Sequence, residues 1–145
     1  MYVERLLSAA REKLVTIADD APLTDAAKFL RKGTDLVIVC GSTGLVTGVI
    51  TKTDVVDQMS QCQGASCAMA ASLAMTRDVV VCRRGDLLQD VWKRMKERKL
   101  KNIPVVDQDS QPIGVLHARD ILQVLLKESE DEESMLRDYV MGIGY

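Results

Sequence analysis

Apolar residues fall in short runs between polar corners, and the order of the runs repeats. Leu14 to Ile17 and Val79 to Cys82 are β-branched stretches of strand length. Each leads into a polar turn, Asp19-Asp20-Ala21-Pro22 in one case and Arg83-Arg84-Gly85-Asp86 in the other. Both turns predict helix starts, with Pro22 suited to a first helical turn and the acids facing the positive end of the dipole. Ala26, Ala27 and Leu30 then share one helical face, as do Leu88, Val91, Trp92 and Met95. Leu36 to Val39 and Val46 to Ile50 flank Gly41-Ser42-Thr43-Gly44, which predicts a hairpin. Ile103 to Val106 and Ile113 to Leu116 predict a second hairpin across Asp109-Ser110-Gln111-Pro112. Val55, Val56 and Met59 mark a closing helix in the first set, and Ile121, Leu122, Val124 and Leu125 mark one in the second.

The repeat is explicit at one corner. Gly48-Val49-Ile50-Thr51-Lys52-Thr53-Asp54 returns as Gly114-Val115-Leu116-His117-Ala118-Arg119-Asp120, a shift of 66 residues. Leu23-Thr24-Asp25-Ala26 matches Leu88-Gln89-Asp90-Val91 at a shift of 65, and Val37-Ile38-Val39 matches Pro104-Val105-Val106 at 67. The length changes fall where loops are expected. Each unit reads β-α-β-β-α. At about 45 residues it is too small to bury its apolar faces alone. The predicted fold is therefore α/β (α+β), with two such units packed face to face as a pseudo-twofold pair. Polar clefts are expected where the strand ends meet.

This divides the chain into a first repeat with an N-terminal helix (1–60), a connector (61–78), a second repeat (79–127) and an acidic tail helix (128–145). Gln58 to Cys67 is small and polar and reads as a flexible stretch, while Ala68 to Met75 is Ala/Met-rich and reads as helix. In the tail, Met135, Leu136, Tyr139 and Val140 form an apolar stripe that calls for a surface, on this chain or on a second subunit.

Composition narrows the function. The chain has 145 residues, 47% of them hydrophobic but only 3% aromatic, so aliphatic side chains must fill the core. A net charge of −2 gives no footprint for nucleic acid. No long apolar run predicts a membrane span, and the charged N-terminus lacks a signal-peptide core. The four cysteines form no C-x-x-C pair and there is one histidine, which argues against a metal site or a disulfide framework. Reduced thiols in a cytoplasmic protein are expected, with a surface Cys62–Cys67 disulfide as the alternative. Trp92 reads as core or subunit interface rather than a stacking platform.

The paired G-h-h-T-x-x-D corner, the Met75-Thr76 that leads into the second unit and the Lys101-Asn102-Ile103-Pro104-Val105-Val106 strand resemble the tandem CBS-domain (Bateman module) family. The resemblance covers residues 1–127 and is similar to small stand-alone bacterial CBS pairs. It implies two clefts that bind adenosine-containing ligands such as AMP, ADP, ATP, NAD or S-adenosylmethionine, and it implies a homodimer. Such a ligand is an effector, and no cofactor is required.

The corner's chemistry admits two compatible readings. An ionised Asp54 can accept from both hydroxyls of a ribose with Thr51 beside it, and the helix start favours phosphate. The same two residues are also ordinary helix-capping chemistry. Family geometry places Thr51 and Asp54 opposite Val80, Leu100 and Lys101, with Lys101 as the phosphate partner. The second cleft maps to Thr16, Asp35, His117, Arg119 and Asp120. There His117 stands in the place of Thr51, so this cleft is either altered or no longer binds. The sequence holds no nucleophile–base pair, catalytic carboxylate dyad or P-loop. A non-enzymatic regulatory sensor is expected. The alternative is a ligand-free oligomerisation or adaptor protein that docks a partner enzyme or transporter.

Overall fold

A computed structural model describes residues 1–61 and 68–142; the side chains of 135 and 138–142 are not among those described. Cys62 and Cys67, the pair of the alternative surface disulfide, and most of the polar connector lie outside that set. A 3-10 turn over Val3–Leu6 enters α1 (Leu7–Glu12). The first half then runs β1 (Thr16–Ala18), α2 (Leu23–Arg31), β2 (Val37–Cys40), β3 (Val46–Ile50) and α3 (Lys52–Ser60). The short α4 (Ala71–Ala74) precedes α5 (Leu88–Arg98), β4 (Asn102–Val106), β5 (Pro112–His117) and α6 (Ala118–Gly142).

The hairpins form as the alternation predicts. Ile38 opposes Val49 in β2/β3, and Ile103 opposes Leu116 in β4/β5. Each carries a register break at the same place, after Val39 and after Val105, so β2 and β4 correspond at a shift of 66 rather than the 67 read from the sequence. The opening strands differ. β1 pairs in parallel with β2, but its counterpart at Val79 to Cys82 reduces to a bridge between Cys82 and Val105. The reason is a proline. In the first half the Ile38 N–H donates to the Val15 carbonyl, whereas Pro104 stands in the equivalent place in the second half and has no N–H to give, so the pairing stops at Cys82. Arg94 takes the Val81 carbonyl on the other side at 3.1 Å and Asp86 at 3.1 Å.

Other expectations shift for similar reasons. Pro22 is the cap residue before α2 rather than part of its first turn. The helix expected over Ala68 to Met75 shrinks to α4 because Ala70 is held extended in a bridge with Pro22. Val56 and Met59 are 61% and 64% exposed, so of the three residues expected to mark α3 only Val55 packs on the core. The closing helix of the second repeat and the acidic tail are one continuous helix, α6. Leu136 on its distal half is 64% exposed.

The segment before each repeat packs on the other repeat. Val3, Leu7 and Ala10 complete the core built from Leu88, Val91, Met95, Ile103 and Ile121. Ala71, Ala74 and Met75 complete the core of Leu23, Ala26, Leu30 and Ile50. Backbone bonds fix this exchange: Val3 N–H to the Asp86 carbonyl at 2.9 Å, and Ala71 N–H to the Ala21 carbonyl at 2.7 Å. Glycines permit it. A Cβ at Gly114 would stand 2.8 Å from the Cβ of Ala10, and one at Gly48 would stand 2.9 Å from the Thr76 carbonyl oxygen. A third cluster of Leu36, Ile38, Val49 and Val115 forms the seam between the halves.

Candidate functional site

The first corner is a capping box. Thr51 leaves β3 in an extended conformation and caps α3. Its backbone N–H donates to Asp54 Oδ2 at 2.9 Å, and the Asp54 N–H points back to Thr51 Oγ1 at 3.5 Å. The other carboxylate oxygen, Oδ1, accepts from the Thr76 hydroxyl at 3.0 Å. Asp54 therefore ties the corner to the chain entering the second repeat.

The second corner reaches a similar shape with other atoms. His117 Nδ1 accepts from the Arg119 N–H at 3.0 Å, so imidazole replaces hydroxyl as the cap of α6. With Nδ1 as acceptor, the neutral ring carries its proton on Nε2. Asp120 does not turn back to its corner. It pairs with Lys13 at the end of α1.

Both corners open on one cavity of about 630 Å³. Thr51, Val80, Leu100 and Lys101 lie on its wall. So do Asp35, His117 and Arg119, which the sequence assigned to a separate cleft. Asp54, Thr16 and Asp120 are not on that wall. Asp54 sits behind Thr51, Thr16 is exposed on β1, and Asp120 lines a groove of about 390 Å³ with Lys13 and Gln123. Sequence reasoning missed Lys52, Thr76, Asp78 and Lys99 as wall residues. No local motif marks them as wall residues; Lys99 follows α5 directly, and its place on the wall comes from packing.

The wall is rich in cations: Lys52, Lys99, Lys101 and Arg119 against Asp35 and Asp78. Asp78 is engaged by Arg98 at 2.6 Å. Neither described cysteine is held in an activating environment. Burial pushes the Cys40 thiol up, and burial helped by the Asp86 charge pushes Cys82 up to about 12 against the opposing pull of Arg94. Among the described residues no cluster of His, Cys, Asp and Glu could hold a metal ion, and no helix is long and apolar enough to cross a membrane.

Residues 3–61 and 70–127 each match the CBS domain, and the chain belongs to the CBS-domain family. It is 26% identical over 135 residues to the choline transport ATP-binding protein OpuBA of Bacillus subtilis, covering 92% of this chain and 34% of that protein. It is 29% identical over 116 residues to a homoserine O-acetyltransferase of Methanococcoides burtonii, covering 79% of this chain and 22% of the other. The chain thus spans about a third or less of the length of these curated relatives.

Among solved structures, the CBS-domain protein ATU1752 of Agrobacterium tumefaciens aligns with a TM-score of 0.70 at 25% identity, covering 84% of this chain and 91% of that one. CBSX2 in complex with AMP gives a TM-score of 0.73 at 22% identity, covering 88% and 98%. The CBS pair of MJ0100 with 5′-methylthioadenosine and S-adenosyl-L-methionine gives 0.73 at 20%, also covering 88% and 98%. The last two likenesses bear on the fold.

Proposed function

We propose that the chain is a non-enzymatic regulatory module that binds an adenosine-containing ligand in the cavity between its two CBS repeats. The observation that carries this reading is the meeting of both duplicated corners on one cavity of about 630 Å³ with a polar and cationic wall. The family supports it, and so do neighbours of the same fold in complex with AMP or S-adenosylmethionine. In this reading Thr51 and Asp54 take the ribose once the Thr76 hydroxyl releases Asp54 Oδ1. Val80 and Leu100 offer apolar wall to the base, and Lys101 meets phosphate. Asp35, His117 and Arg119 face the same ligand from the other side. Thr16 and Asp120 stay outside its reach while Lys13 holds Asp120.

The ligand acts as an effector and no cofactor is required. Coupling requires that it bind one arrangement of the halves better than another. The module acts as a cytoplasmic homodimer without nucleic-acid or membrane contact. A thermal-shift panel of AMP, ADP, ATP, NAD and S-adenosylmethionine on ligand-free protein tests this. A true ligand at a hundred times its dissociation constant stabilises by about 2.7 kcal/mol.

A second reading is a ligand-free adaptor that docks a partner enzyme or transporter. The exposed apolar residues Val56 and Met59 on α3 favour it. A panel with no shift for any nucleotide selects the adaptor.

A further inference from the structure

The two halves end their first helix in the same way but with different residues. Past Arg31 and Lys32, α2 is closed by Gly33, with φ of 105°, and the Thr34 N–H reaches back to the Phe29 carbonyl at 3.2 Å. α5 ends at Lys99, with φ of 54° and ψ of 45°, and the Leu100 N–H reaches back to the Met95 carbonyl at 2.9 Å. Both are left-handed C-terminal caps, the conformation that glycine adopts without penalty and lysine does not. Space does not dictate the glycine, since a Cβ at Gly33 would meet nothing within 4 Å. The second half therefore carries a lysine where backbone physics favours the residue used in the first.

That lysine stands on the cavity wall. Lys52 comes to the same wall from the start of α3, Lys101 from the entry to β4, and Arg119 from the first turn of α6. Among the described residues none of these four forms an ion pair. Of the two wall carboxylates, Asp78 is engaged by Arg98 and Asp35 forms no ion pair among the described residues. Like charges gathered from four elements around a concave surface repel one another and raise the local concentration of anions.

We propose that Lys99 is a charge-selecting residue of this cavity, which takes a multiply anionic, phosphorylated adenosine ligand in preference to a cationic sulfonium. The proposal rests on the adenosine-ligand reading and adds the sign of the ligand's charge. S-adenosylmethionine, with a net positive charge, is disfavoured by the same four cations that attract a polyphosphate.

Titration calorimetry with ATP, AMP, adenosine and S-adenosylmethionine tests it, on the wild-type chain and on Lys99→Gly, Lys99→Gln and Lys99→Arg. Wild type is expected to bind ATP tightest, then AMP, then adenosine, with S-adenosylmethionine weakest. Lys99→Gly and Lys99→Gln should each weaken ATP by about tenfold, the worth of one charge-assisted contact, and leave adenosine unchanged. Lys99→Arg should restore ATP binding. Lys99→Gly should also raise the melting temperature, because it relieves the left-handed cap, so a loss of affinity there is not a loss of fold. S-adenosylmethionine binding as tightly as ATP, or ATP affinity indifferent to Lys99→Gln, overturns charge selection and leaves the adenosine reading standing. If all four ligands fail to bind, both readings fall.

Discussion

Thr51 and His117 close the same turn in the two halves, one with a hydroxyl and the other with an imidazole nitrogen. The aspartates that follow them part company. Asp54 stays in its own corner, bonded to Thr51 and to the Thr76 hydroxyl. Asp120 is drawn away to Lys13. In each half the partner comes from the segment that leads into a repeat and packs on the opposite one. A threonine hydroxyl is easily exchanged for a ribose hydroxyl, because one hydroxyl-to-carboxylate bond replaces another of the same kind. An ammonium held by a carboxylate carries charge on both partners and yields less readily. The comparison teaches that a duplicated backbone corner becomes two different chemical sites through whatever the crossing segment brings to it.

The widest difference between the halves lies in their thiols. Cys82, in the second core, is pushed up to about 12 from an ordinary 9.0, whereas Cys40 at the seam is half-buried. At neutral pH this lowers the Cys82 thiolate fraction by about a thousandfold. Alkylation of native protein, mapped by mass spectrometry, should mark Cys40 and spare Cys82 until the chain unfolds. The raised value also favours the folded state fully below pH 9, and this contribution is lost as pH rises toward about 12. Alkaline denaturation with Cys82→Ala as reference measures it, and an unchanged pH slope would contradict the burial argument.

The glycines come next. Gly114→Ala meets the backbone and Cβ of Ala10 and should cost about 2–3 kcal/mol. Gly48→Ala meets Met75, whose thioether can move, as well as the Thr76 carbonyl, and should cost about 1–2 kcal/mol. Urea titration of both variants ranks the two crossings, and the reverse order would mean that the first crossing is the more rigid.

The caps follow. Thr51→Ala and His117→Ala should each cost about 1 kcal/mol, and His117→Thr should recover most of the second loss. If His117→Ala were neutral by thermal denaturation, its bond to the Arg119 N–H would carry no weight. The smallest effect belongs to Lys13→Met. Both partners are partly exposed, so stability should fall by less than about 1 kcal/mol. Nucleotide stoichiometry should stay at one per chain, because both corners share one cavity. A rise toward two would show that the Lys13–Asp120 pair closes a separate second site.

Much of this architecture is readable in local chemistry. The β2/β3 and β4/β5 hairpins follow from alternation around turn residues, and the buried stripe of α5 follows from Leu88, Val91 and Met95 at helical spacing. Val79 to Cys82 has the composition of a strand yet forms only a bridge, because Pro104 on the facing strand has no N–H to donate. The propensity of residues 79–82 does not contain that information; it lies in the strand they face. Val56 and Met59 are apolar but exposed, since periodicity tells which residues share a face and not whether anything covers it. At the site, the Thr-x-x-Asp corners stand out in the sequence, whereas Lys99 becomes visible as a wall residue only once α5 and both corners are placed in space.

The chain by itself determined the duplication, the order of elements and the capping chemistry of each corner, because those depend on residues a few positions apart. Tertiary structure decided which half each entering segment completes, that both corners share one cavity, and that Lys13 claims Asp120 while Thr76 claims Asp54. These outcomes join residues distant in sequence. They are set by which surfaces fit closely, as where Gly114 admits Ala10, and no local pattern records that fit.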